Sequence, residues 1–194
     1  MKNLIILFSL VQFTTYASWK YLTTEDGITI YTKEAKDSIM PFMASGNINA
    51  NIATVIKTLK DFNNKNKWSP KLKSVKIHKM ISENKYQFSE YYQTPWPATD
   101  REFLLEGELK QVSENEYLIL AHSIDSNFKD QDHIQANVDY LNLKIKKLSE
   151  NETSIEFEFH GDMKGWMPVW LMNLIQKKWP LRFIQGLRKY IDSN

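Results

Sequence analysis

Beyond its first seventeen residues the chain is written in short alternating apolar and polar runs, and only near its end does it change to a repeat of three or four. Trp19 to Thr24 and Ile28 to Thr32 are β-favouring runs on either side of Glu25-Asp26-Gly27, and an Asp-Gly between two such runs predicts a hairpin. A third strand is expected over Phe42 to Asn49. Asn51 then has the chemistry of a helix cap, followed by Ile52, Val55, Ile56 and Leu59 at helical spacing, and Asp61 opens a second short turn that ends near Trp68-Ser69-Pro70. Strand patterns resume at Ser74 to Ile81 and continue as a meander over Tyr86 to Gln93, Arg101 to Val112, Tyr117 to Ser123, Ile134 to Leu148 and Thr153 to Gly161. Ile155, Phe157 and Phe159 alternate with Glu156, Glu158 and His160, the mark of a sheet with one dry face and one wet face. From Pro168 onward Met172, Ile175, Trp179, Phe183, Leu187 and Tyr190 form one apolar stripe on a long helix, which Pro180 is expected to kink or split. The whole reads as α+β: a curved antiparallel sheet of about seven to nine strands gripping a C-terminal helix, with room for a cavity between them.

The start of the chain belongs to a different class of pattern. Met1-Lys2-Asn3 precedes the apolar run Leu4 to Phe13, and Thr15-Tyr16-Ala17 has small residues at its ends, as a secretory signal does. The run is too short to span a bilayer, which takes roughly 20 apolar residues. Residues 1–17 are therefore expected to be a cleaved signal peptide, residues 18–194 a single domain, and the mature protein an exported one, periplasmic or extracellular. Composition narrows the chemistry. With no cysteine, the domain has no disulfides and no thiol nucleophile. Lys and Arg number 25 against 23 Asp and Glu, without the concentrated basic surface that nucleic acid requires. His78, His122, His133 and His160 have no metal-ligand spacing, and no nucleophile elbow or phosphate-binding glycine loop is present, so neither a metal nor another cofactor is expected.

Strand alternation singles out an interior polar group. Phe88, Glu90 and Tyr92 share one face of their strand, and if the aromatics point inward a carboxylate goes with them. Arg101, Phe103 and Leu105 share a face of the next strand, and hairpin counting puts Arg101 within diagonal reach of Glu90. A buried Glu–Arg pair is a poor source of stability and suits the orientation of a polar ligand head; the alternatives are a face exposed at a sheet edge or a pair that only satisfies itself. Trp96, rigid between two prolines, plugs a sheet corner or touches a ligand. Trp166, Met167 and Trp170 crowd the start of the last helix, where they serve core packing or contact with a membrane or lipid. Lys177, Lys178, Arg182, Arg188 and Lys189 fit a solvated helix face better than a headgroup site.

Three motifs in order carry a resemblance that spans the mature chain. Trp68-Ser69-Pro70 with Leu72, Val75 and Ile77 is similar to a W-x-P turn leading into a strand; Pro95-Trp96-Pro97-Ala98-Thr99-Asp100-Arg101-Glu102-Phe103 is similar to a P-W-P-x-x-x-R-[DE] signature; and Asp162-Met163-Lys164-Gly165-Trp166-Met167-Pro168, with Asn173 five residues on, is similar to a D-x-x-G-x-[ILM]-P lead into a C-terminal helix. Together they resemble the steroidogenic-acute-regulatory-protein-related lipid-transfer (START) family. Gln135 departs from it, standing where many relatives carry an Arg, so nothing that Arg does is carried over. The resemblance implies a helix-grip fold around a hydrophobic tunnel that holds one lipid, with the C-terminal helix and an adjacent loop as gate. The candidate ligand-binding residues are then Phe88, Glu90, Tyr92, Trp96, Arg101, Phe103, Leu105, Trp166, Trp170, Asn173 and Leu174. The expected protein is a monomeric, non-enzymatic lipid binder with transient membrane contact and no nucleic-acid partner. The rivals are a helix-grip enzyme of cyclase or hydrolase type, with Glu90 unpaired as acid or base, and an interaction module with a filled core. The leader reading predicts that N-terminal sequencing of the exported fraction begins at Ser18; a first residue of Met1, or recovery in the membrane pellet, contradicts it.

Overall fold

A computed structural model describes residues 19–34 and 40–194; the expected leader and its cleavage point lie outside the described residues. The strands are β1 (Lys20–Glu25), β2 (Ile28–Thr32), β3 (Phe42–Ile48), β4 (Leu72–Ser82), β5 (Lys85–Tyr92), β6 (Arg101–Ser113), β7 (Glu116–Ser123), β8 (Ile134–Gln135), β9 (Asn137–Ser149) and β10 (Glu152–Asp162), with helices α1 (Ile52–Lys60) and α2 (Val169–Asp192) and a 3-10 turn at Lys65–Lys67. They form one sheet in the order β1-β2-β3-β10-β9-β7-β6-β5-β4, antiparallel throughout except for β8, which lies parallel to β6. The sheet has ten strands, more than the sequence pattern suggests. The single strand expected over Ile134 to Leu148 breaks at Ala136, whose N–H donates to Glu102 O at 3.0 Å and turns β8 onto β6, while β9 runs on between β7 and β10.

Local chemistry accounts for the ends of the elements. Asp26 and Gly27 both have positive φ, 55° and 63°, the paired left-handed conformation that lets a two-residue turn follow the twist of its strands. Asn51 accepts the Thr54 N–H at 2.9 Å and so caps α1, which turns Val55 and Leu59 into the core. Alternate residues of the central strands face inward: Phe42, Ala44 and Ile48 on β3, Ile155, Phe157 and Phe159 on β10, Leu141, Leu143 and Ile145 on β9.

Helix α2 lies in the grip of this surface, and its two halves are held differently. Leu181, Phe183, Ile184 and Leu187 in the second half are buried, each burial contributing about 1.5–3 kcal/mol; in the first turns only Leu171 is fully buried, while Val169, Trp170 and Leu174 are exposed. The second half is also locked by close contact. A Cβ on Gly186 would stand 2.1 Å from Trp68 O, and Arg188 donates from Nε to Asn47 O at 2.6 Å and from Nη1 to Asp26 O at 2.7 Å. Of the two outcomes expected at Pro180, a kink or a split, the split does not occur: α2 is one helix of 24 residues. The missing N–H removes one bond of the ladder, and the buried side chains on the far side of Pro180 outweigh it.

This packing predicts an order of sensitivities. Gly186→Ala drives its new methyl into backbone that cannot swing aside and should lower the unfolding free energy by about 3 kcal/mol, whereas Gly27→Ala, with nothing within 4 Å, meets only the left-handed backbone cost of roughly 1 kcal/mol. Denaturant midpoints of the two variants, compared at equal slope, check this.

Candidate functional site

Between α2 and the sheet the interior is divided. Near the start of α2 lies a cavity of about 100 Å³, walled by Tyr92, Arg101 and Phe103 from β5 and β6, by Met163 and Met167 from the segment before the helix, and by Leu171, Leu174, Ile175 and Trp179 of the helix itself. A second cavity of about 70 Å³ lies further in, between Phe88 and Glu90 of β5, Leu105 and Gly107 of β6, Leu141 and Leu143 of β9, Trp68 and Phe183. The two cavities share no walling residue, and Trp179, which walls the first but not the second, belongs to the aromatic cluster at the centre of the grip. Trp179 projects into the grip and meets Phe42, Phe157 and Phe159 on one flank and Tyr92 and Phe103 on the other, at centroid distances of 5.8, 5.5, 5.2, 5.8 and 6.5 Å, every pair edge to face. Each such pair contributes about 0.5–1.5 kcal/mol beyond its buried area, so this packing is a stable part of the fold.

The deep chamber holds the polar group that alternation located. Glu90 is completely buried and stands opposite Phe103 in the β5–β6 register. One carboxylate oxygen is ion-paired with Lys65 Nζ, and the other accepts the Tyr92 hydroxyl at 2.7 Å. Burial, and then the charge of Glu90, push the Tyr92 hydroxyl pKa well above its ordinary value, so it stays a donor. Trp68 closes the same chamber, and its indole N–H is buried with no acceptor among the described residues.

The expected Glu90–Arg101 pair is a correction. Arg101 lies opposite Tyr92, one step nearer the mouth, and is 1% exposed. Its Nε donates to Met163 O at 3.2 Å, Nη2 to Lys164 O at 2.9 Å and to Trp166 O at 3.3 Å, and Nη1 to Thr99 O. Burial lowers its pKa from the usual arginine value. The guanidinium is thus a clamp that ties the sheet to the lead-in of α2, while the Lys of the 3-10 turn takes the place at Glu90 assigned to it. Lys65 was not anticipated; its three-residue spacing from Trp68 on a 3-10 turn, which sets both on one face, is the signal that could have found it.

On the opposite face of the same strands Glu102 is buried as well. It accepts from Ser89 Oγ, from the Gln135 amide and, at 2.8 Å, from Asp130 N–H; since Ser89 donates to Glu102, it accepts from His78 Nε2 at 2.7 Å. Burial, then Lys76, lower the His78 pKa against the opposing charge of Glu102. Gln135, the departure from the family pattern, thus supplies a neutral donor to a buried carboxylate and helps hold the loop before β8.

Of the sequence candidates, the fold brings Phe88, Glu90 and Leu105 to the deep chamber and Tyr92, Arg101, Phe103 and Leu174 to the mouth. Trp96 is 88% exposed, and Trp166, Trp170 and Asn173 are exposed too; none of the four walls either chamber. For Trp96 the reason is its place at the tip of the β5–β6 connection, beyond the sheet; the other three lie on the outward side of the α2 start.

The architecture and the three motifs agree with one family model, the START domain, which matches residues 13–194. The chain belongs to the START family. It is similar to human StAR-related lipid transfer protein 5, with a TM-score of 0.82 at 14% identity, covering 90% of this chain and 86% of that one. A StAR-related lipid transfer protein from Xanthomonas axonopodis gives 0.78 at 16% identity, with 90% and 98% covered. An uncharacterized protein of Pseudomonas aeruginosa is 22% identical over 179 residues, 90% of this chain and 87% of that one. START is a lipid-binding fold, and the helix-grip architecture expected from the sequence is the one observed.

The clamp generates a prediction of its own. Arg101→Ala leaves the Met163 carbonyl and three part-buried ones without this donor and should cost about 3 kcal/mol of stability, and Arg101→Lys, which cannot reproduce the fork, should restore less than half of it. Hydrogen exchange should quicken first in residues 163–168; unchanged protection there would show that the lead-in is held by something else.

Proposed function

We propose that this START-family chain is an exported carrier that encloses one hydrophobic molecule between the sheet and α2. The observation that carries the reading is the pairing of apolar chamber walls with a single buried polar station, Lys65–Glu90–Tyr92, beside an indole N–H with no acceptor. Apolar burial at roughly 25 cal/mol per Å² supplies affinity, and the station fixes which way round the molecule lies. Ion-paired and already hydrogen-bonded, the station suits an uncharged head that offers an acceptor to Trp68; a second carboxylate there would meet the Glu90 charge.

Loading is assigned to the first half of α2. That half has the fewer buried side chains and borders the mouth, while the second half is fixed through Gly186 and Arg188. Trp166, Val169, Trp170 and Leu174 form an exposed apolar group beside the mouth, with Lys71 and Arg182 among the residues that wall it. An apolar patch with a cationic border suits transient contact with a membrane surface, and that contact is where the molecule would be taken up or given off. The rival acid–base role needs Glu90 free, and both of its oxygens are engaged. This favours binding over catalysis.

Native mass spectrometry of the purified full chain should detect one apolar adduct per molecule, and the same preparation, once stripped, should take up a fluorescent acyl probe that the extracted material displaces. Folded protein that carries no adduct and binds no probe would contradict the carrier reading.

A further inference from the structure

The seat of Trp179 bears on which hydrophobic molecule the chain accepts. Trp179 spans the grip from β3 and β10 on one side to β5 and β6 on the other, with centroids no more than 6.5 Å from five wall rings. It walls the mouth cavity of about 100 Å³ but not the deep one of about 70 Å³, and each falls below the roughly 300 Å³ at which sites for drug-sized ligands begin. A rigid polycyclic molecule wide enough to touch both flanks occupies the space of the indole and must expel it, losing all five ring contacts at once. A single polymethylene chain is narrow and flexible. It needs only a small rotation of the ring to run along its face, from the Met163–Met167–Leu171 wall of the mouth toward Glu90.

We infer that Trp179 is the specificity-determining residue of the chamber, and that it selects a slender single-chain amphiphile against wide fused-ring lipids. The inference rests on the carrier reading and adds the shape of the cargo. Nothing in it depends on the outer surface or on how the protein meets a membrane. It makes the indole a filter of cross-section: head chemistry is judged at Glu90, Lys65 and Tyr92, and width is judged at Trp179.

The test uses the full chain and two probes, a fluorescent monoacylglycerol and a fluorescent sterol, titrated into wild type, Trp179→Ala and Trp179→Leu, with circular dichroism to establish folding. Wild type should favour the single-chain probe by about tenfold or more, and Trp179→Ala should shrink that preference by about tenfold, through a gain in sterol affinity as the mouth cavity widens by the space of the indole. Trp179→Leu, which keeps an apolar side chain of smaller cross-section, should lie between and serves where the alanine variant folds poorly. If wild type binds both probes equally, or if the preference is unchanged in both variants while single-chain binding persists, the carrier reading stands and the filter is overturned. If folded wild type binds neither probe, the carrier reading falls and takes the filter with it.

Discussion

The edge-to-face packing of Trp179 between the two flanks of the sheet is the contact on which the rest of the interior depends. It ties the helix to β3 and β10 on one flank and to β5 and β6 on the other, and it walls the mouth cavity on the helix side. A grip closed by aliphatic side chains alone would lack the directional preference that holds rings edge on. The same contact joins architecture to the proposed function. On the proposed reading, a molecule that enters at the mouth meets this ring.

Around that centre the helix is anchored unequally, and the inequality has a physical source. Gly186 lets α2 approach the Trp68 backbone closely, and Arg188 reaches carbonyls of the β1–β2 turn and of β3, so the second half is bound directly to the elements around it. The first half is fastened indirectly, through Arg101 to the carbonyls of the segment before it. Local opening is easiest where buried apolar contacts are fewest, which places it over residues 169–178. The buried Arg101 holds the base of that segment, so on the proposed loading route the opening has a fixed foot.

Much of this was legible in the sequence because period-two alternation and the Asp-Gly turn are local signals. They placed Phe88, Glu90 and Tyr92 inward and the hairpin at Asp26-Gly27, and the motif order pointed to the START family. The partner of Glu90 was not legible: Arg101 and Lys65 are both cations within plausible reach, and the choice between them depends on how the 3-10 turn lies over β5, a tertiary fact. The break at Ala136 was hidden in an unbroken strand pattern. Trp179 stood in the apolar stripe from the outset, yet a stripe position specifies only a direction, and whether a ring plugs a cavity or lines it depends on the spacing of the walls. Trp96 was misleading for a related reason, since two flanking prolines fix its backbone without saying which side of the sheet it leaves from.

The central claim is that one amphiphile lies inside the grip, along the Trp179 ring. Photo-cross-linking tests it most directly: a single-chain amphiphile with a diazirine midway along the chain is bound to the full chain, irradiated, and the adducts mapped by peptide mass spectrometry. The account predicts labelling of chamber residues such as Met167, Ile175, Trp179 and Leu105, suppressed by excess unlabelled amphiphile. Adducts confined to Trp96, Trp166 and Trp170, or spread over the outer face of the sheet, would contradict it.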